Sequence, residues 1–271
     1  MPSDFVQVLI EQESHELVPT LHLFGGPFVT LDGRRKDIPE GSKRLLVFVA
    51  LRPGLVERRY AAGALWPIGD DARAAGNLRS ALWRLSKVGV ELLQVDKHGL
   101  ALCEDVLLDV RLVAAWASRL LTGSATPGDL RATPSTMDAL ELLPGWYDDW
   151  ALMERERVRQ RLLHALEAQS RQLVEAGCFG QAVEAAMQAI GADPLRESAQ
   201  RALVEAHLAE GNRMEARRSL DRYAELLDRE LGVAPGAEIS ALLHGRVPSR
   251  GLAGQNGVEQ RAAVRRLTVI S

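Results

Sequence analysis

Residues Gly177, Ala182, Ala186 and Ala189 recur as Gly211, Ala216, Leu220 and Tyr223, each pair 34 residues apart. That is the period of the tetratricopeptide helix pair. A unit this short cannot bury its apolar face alone, so the second half of the chain must stack helices on helices, and small residues at repeated positions let the pairs approach closely. Asp193-Pro194 ends the first copy where the second pair begins. Apolar residues at helical spacing extend the pattern on both sides and predict helices over 110–121, 137–143, 150–176, 180–190, 195–210, 213–231 and 237–243. Between the first two, residues 122–135 are rich in Thr, Ser, Gly and Pro and read as an exposed loop.

The first half reads differently. Residues 1–19 are polar without a clear period and are expected to be a flexible arm. Residues 21–24 and 28–31 alternate in strand fashion around Gly25-Gly26-Pro27, and Asp32-Gly33 signals a further hairpin. Ser42 is placed to cap a helix that Pro53-Gly54 stops, and a second helix runs from about Glu57 to Trp66, ended by Pro67. A third starts near Arg73 and reaches Gly89, with Leu78, Ala81, Leu82, Leu85 and Val88 on one stripe. Two apolar runs then flank Asp96-Lys97-His98-Gly99, a hairpin with a charged tip. Sheet, three helices and hairpin, in that order, is a winged helix. The expected fold class is therefore mainly α: a winged helix-turn-helix followed by an all-α TPR-like domain. The boundaries are an arm at 1–19, the winged helix at 20–108, the helical domain at 109–245 and a basic tail or further domain at 246–271.

Composition narrows the function. The chain has 271 residues, 46% hydrophobic and 25% charged, as two globular domains require. No leader or apolar span is visible, so a cytoplasmic location without membrane contact is expected. Cys103 and Cys178 have no C-x-x-C spacing and read as ordinary buried or half-buried thiols. The six histidines form neither an H-E-x-x-H motif nor a close pair with cysteine, and Gly41-Ser42-Lys43 lacks the remaining P-loop residues, Lys36 standing where glycine is needed. No G-x-S-x-G elbow occurs, and Asp70-Asp71 and Asp148-Asp149 fall at predicted helix starts, where acids suit the dipole. No enzyme, metal site or cofactor is expected. Net charge is −3, so a nucleic-acid partner would need locally concentrated cations. They occur at Arg79, Arg84 and Lys87, with no acid among residues 77–87.

On a helical projection, Arg79, Ser80, Trp83 and Lys87 lie opposite the apolar stripe, with Arg84 at its margin. Arginine can grip guanine or phosphate in bidentate fashion and serine can bond to either. Leu23-Phe24-Gly25, Ala64-Leu65-Trp66-Pro67 and residues 77–85 together resemble the SARP or BTAD-containing bacterial activators, whose first half is an OmpR-type winged helix. Leu142-Leu143-Pro144-Gly145-Trp146, Asp193-Pro194-Leu195-Arg196-Glu197 and residues 230–235 are similar to that family's activation domain. The resemblance implies binding to direct repeats in double-stranded promoter DNA and recruitment of RNA polymerase through its sigma or alpha subunit. It leaves open a homodimer on DNA. Carried over by position, Arg79, Ser80, Trp83, Arg84 and Lys87 would be the recognition surface, with Lys97 and His98 the wing. Trp66 is assigned to packing. Residues 265–270 are similar to the first strand of a nucleotide cyclase domain, and larger family members carry extra domains there, so the chain is expected to be part of a longer regulator or a relic of one; no cyclase activity is expected within it. Two other readings stay open on the residues alone: a TPR-type adaptor whose winged helix binds protein, and a ligand sensor using the concave helical face.

Overall fold

The computed structural model describes residues 4–13, 18–134, 136–137 and 140–243, so the expected basic tail at 246–271 lies outside the described residues. The chain begins with helix α1 (Asp4–Glu13). Strands β1 (Thr20–His22), β2 (Phe28–Leu31) and β3 (Arg34–Lys36) follow as an antiparallel meander, and β7 (Leu107–Leu108) joins β1 in parallel, giving the order β3-β2-β1-β7. The β2–β3 turn is the Asp32-Gly33 pair, both at positive φ (50° and 69°), as a type I′ turn demands.

Three helices come next: α2 (Glu40–Ala50), α3 (Arg58–Leu65) and α4 (Asp71–Leu85), the last extended by a 3₁₀ turn at Ser86–Val88. A second sheet, ordered β4-β6-β5, consists of β4 (Val56–Glu57), β5 (Leu93–Val95) and β6 (Gly99–Leu102) and carries the hairpin. The helical half is α5 (Asp109–Thr122), α6 (Pro127–Arg131), α7 (Asp149–Glu175), α8 (Phe179–Ala192), α9 (Glu197–Glu210), α10 (Arg213–Leu231) and α11 (Ala237–Ala241). Here the repeat is visible as structure. Gly177 and Gly211 both take left-handed φ values, 77° and 89°, at the turns before α8 and α10, and the six alanine, leucine and tyrosine positions of the repeat are all buried. The mainly α winged-helix and TPR-like architecture follows.

One hydrophobic cluster runs from Leu21 and Leu45 through Leu78 and Trp116 to Leu163 and Ala189, so both halves share a core. The seam is built by polar contacts as well. Buried Asp109, the first residue of α5, accepts backbone N–H bonds from Leu23 (2.8 Å) and Phe24 (3.0 Å), and Leu143 donates its N–H to Leu23 O (3.1 Å).

Several local expectations change. Part of the arm expected at 1–19 is α1, because Phe5, Val6 and Leu9 bury one face and Phe5 meets Trp116 edge-on at 4.9 Å. Within the loop expected at 122–135, Thr126 and Asp129 form a capping box that starts α6, and Arg119 clasps buried Asp129. The helix expected at 137–143 is not formed in its described part. Leu142 bridges to Phe24, Leu143 sits at φ 51°, and Arg155 takes up the carbonyls of Leu142, Leu143 and Trp146. Ser42 does not cap α2. Pro39 holds the cap position, and the buried Ser42 hydroxyl donates instead to Ala81 O at 2.8 Å, tying α2 to α4. Cys103 is half-buried as expected, whereas Cys178 is exposed.

Candidate nucleic-acid interface

Helix α4 is fixed in place from below and left open above. Asp70 caps it by accepting the Arg73 N–H at 2.7 Å, and Ala74, Leu78, Ala81 and Leu85 bury its inner stripe, with Leu82 and Val88 packed at the margin. The opposite face presents Arg79, Ser80, Trp83, Arg84 and Lys87, every one of them exposed. Trp83 is 65% exposed and the Lys87 ammonium lies 5.2 Å from its ring centroid, so these two make one cationic, apolar patch. The Arg84 guanidinium rests over the first turn of α2, where a Cβ on Gly41 would meet it at about 3.1 Å. Arg79, Arg84 and Lys87 form no ion pair among the described residues. Trp66, by contrast, is half-buried and packs against the core.

The hairpin tip is held by a single carboxylate. Asp96 Oδ1 accepts the N–H groups of His98 (2.6 Å) and Gly99 (2.7 Å), which keeps the Asp96 carboxyl below the usual carboxylate range. That turn leaves Lys97 and His98 exposed. Arg58, at the start of α3, donates its side chain to Asp96 O (3.0 Å) and its backbone N–H to His98 O (3.2 Å), so the hairpin is clamped to α3.

Sequence reasoning missed Arg58 and Arg59. Together with Arg79, Lys97 and Asp71 they line a cleft of about 600 Å³ between α3, α4 and the tip. A signal was present: two arginines opening a helix stand at the positive end of its dipole, which is unfavourable unless something negative or a carbonyl lies nearby. Arg59 meets that need with Asp71 (3.1 Å) and Arg58 with Asp96 O. The arrangement brings five of the expected residues onto one helix face and the other two onto an adjoining tip, with a basic cleft between them.

Residues 136–245 match the family model described as the bacterial transcriptional activator domain. No curated protein sequence matches the chain. Among solved structures, Mycobacterium tuberculosis EmbR, in a complex with a low affinity phosphopeptide, is similar at a TM-score of 0.60 and 20% identity. The match covers 84% of this chain and 65% of that one. The chain thus spans about two thirds of the EmbR length, and the likeness is one of fold. Among the described residues, no helix is long and apolar enough to cross a membrane. With the matched region spanning α7 to α11 and the winged-helix elements in front of it, residues 136–245 of this chain are similar to the bacterial transcriptional activator domain, and the chain as a whole shares the fold of EmbR.

Proposed function

We propose that the chain activates transcription by binding direct repeats in promoter DNA through α4 and the hairpin, and by recruiting RNA polymerase through its sigma or alpha subunit. The reading is carried by one observation: an exposed, acid-free cationic helix face stands beside an equally exposed hairpin tip, and a basic cleft joins them. In this assignment α4 enters the major groove, where Arg79 and Ser80 meet base edges and Trp83 and Lys87 flank them. Arg84, leaning on α2, and the exposed Lys97 and His98 hold sugar and phosphate. Arg58 and Arg59 add positive potential along the cleft. Two protomers on adjacent repeats would each present the same face.

Footprinting on DNA upstream of the chain's own gene, followed by affinity measurements over a range of salt, tests this. A protected direct repeat whose affinity falls steeply with salt is expected. Arg79→Ala should weaken the protected site by about 1 to 3 kcal/mol and a scrambled duplex much less. Equal weakening of both duplexes would show that α4 only holds the backbone. Absence of any salt-sensitive binding would favour the adaptor reading instead.

A further inference from the structure

A second basic cleft, of about 750 Å³, opens at the seam between the two halves and has no part in the DNA reading. Three elements supply its cations: Arg52 from the turn after α2, Arg111 from α5 and Arg157 from α7. Glu154 is the one acid in its wall among the described residues, and Arg157 already holds it through two N–H groups, at 2.8 and 2.5 Å. Arg52 and Arg111 have no carboxylate partner among the described residues. Arg52 donates one N–H to Phe48 O (2.8 Å) with its guanidinium stacked 3.4 Å from the Phe48 ring centroid, and Arg111 donates one to Ala50 O at 3.4 Å. A guanidinium carries five N–H groups, so both keep most of their donors for something else.

The rest of the wall is apolar and includes Leu51, Leu108, Val110, Ala114 and Trp150. The Trp150 indole Nε1 is buried with no acceptor among the described residues. Surplus positive charge, forked donors and an apolar floor in a cavity of small-molecule size define the complement. We propose that this cleft binds a small organic anion: a flat apolar body against the floor and Trp150, with its phosphate or carboxylate between Arg52 and Arg111. Such a ligand touches α2, α5 and α7 at once, so it ties the winged helix to the activator domain and stabilises their packing in proportion to its occupancy.

The probe is 1-naphthyl phosphate, with 1-naphthol and inorganic phosphate as its two halves, titrated into the full chain and followed by calorimetry and thermal unfolding. Saturable binding of the intact probe with a rise in melting temperature is expected, at least about tenfold tighter than either half. Arg52→Gln with Arg111→Gln should weaken it about tenfold or more, since each loss removes a charge-assisted bond. Ala114→Trp, which fills the floor and leaves every arginine in place, should abolish it while the far-ultraviolet circular dichroism stays native. Arg111→Gln should leave the salt dependence of DNA affinity unchanged. Failure of the intact probe to saturate, or binding indifferent to both variants, overturns the proposal. So does a shallower salt dependence in Arg111→Gln, which would make the cleft part of the DNA interface.

Discussion

Two regions of the molecule treat their cations in opposite ways. In the helical half, five arginines are taken up by carboxylates: Arg119 by Asp129, Arg159 by Glu156, Arg196 by Glu167, Arg217 by Asp221 and Arg218 by Glu215. On the face made by α4 and the hairpin tip, Arg79, Arg84, Lys87 and Lys97 have no such partner among the described residues. Charge in the first region is therefore paired within and between helices, whereas charge in the second is left unpaired, as the proposed DNA contact requires. The comparison also separates the measurements: substitutions in the helical half should be read in stability, and those on the α4 face in binding.

The largest effect is expected at the Arg196–Glu167 pair. Glu167 is almost fully buried in α7. It accepts from Arg196 Nε at 2.5 Å and from the Ser198 hydroxyl at 2.7 Å, while Arg196 also reaches Gln160 Oε1 at 2.9 Å. Glu167→Ala leaves a largely buried guanidinium without its counter-ion, which costs about 3 to 5 kcal/mol. Urea unfolding should show that loss, and DNA affinity of the folded fraction should not change. A variant as stable as the parent would break the claim that charge here is structural.

Next comes the seam, where Asp109 is a buried carboxyl with no cation beside it among the described residues. Burial pushes its pKa up to about 7, against the three backbone N–H bonds from Phe24, Leu23 and Val110 that pull it down. A raised native pKa means that the folded chain holds the proton more tightly than the unfolded chain, whose value is about 4. This group's contribution to stability is therefore complete below about pH 4 and is lost progressively as pH rises toward 7. Asp109→Asn should remove that slope from a plot of unfolding free energy against pH. An unchanged slope would assign it to other groups.

A smaller loss is expected beneath the proposed recognition face. Ser42→Ala removes the buried bond to Ala81 O that ties α2 to α4, while that carbonyl keeps its partner within the helix. The cost should be about 0.5 to 1.5 kcal/mol. Because α4 then sits less firmly, discrimination between specific and scrambled duplexes should fall more than affinity for the scrambled one. Loss of stability with discrimination intact would show that α4 is positioned by its apolar stripe alone.

What could be read from the sequence divides along the same physical line. Features set by local rules were legible: the 34-residue offset that becomes buried alanines behind left-handed Gly177 and Gly211, the Asp32-Gly33 turn, and the face of α4 that carries Arg79 and Lys87. Features set by distant partners were not. The spacing of Phe5, Val6 and Leu9 marks a helix face, but its reason is Trp116, more than a hundred residues away. The leucines before Pro144 have helical propensity, yet Leu142 pairs with Phe24 and Arg155 collects the neighbouring carbonyls, so tertiary contacts override it. Ser42 fails for a related reason: a hydroxyl beside a helix start caps it only if no better buried partner competes. The α6 capping box stands in a stretch of Thr, Ser, Gly and Pro and is held by Arg119 from α5, so the turn residues around it obscured the helix. At the site, Arg58 and Arg59 were missed because their role depends on the hairpin folding back onto α3.

The smallest effects sharpen the comparison most, because they set two exposed cations against each other. Arg217 lies on α10 and pairs with Asp221 at 3.0 Å, both side chains more than half exposed. Lys97 stands on the hairpin tip with no such partner among the described residues. Arg217→Ala removes an exposed pair on a helix surface and should change stability by less than about 0.5 kcal/mol. It should leave the dependence of log affinity on log salt untouched. Lys97→Ala should do the reverse, with stability unchanged and the salt slope reduced by about one ion, equally on specific and scrambled DNA. Neither variant moves the melting temperature much, so only the salt titration separates them. If both variants reduce the slope alike, the activator domain also lies along DNA and the division of charge between the halves is wrong. If neither does, the hairpin does not reach phosphate and α4 binds without its wing.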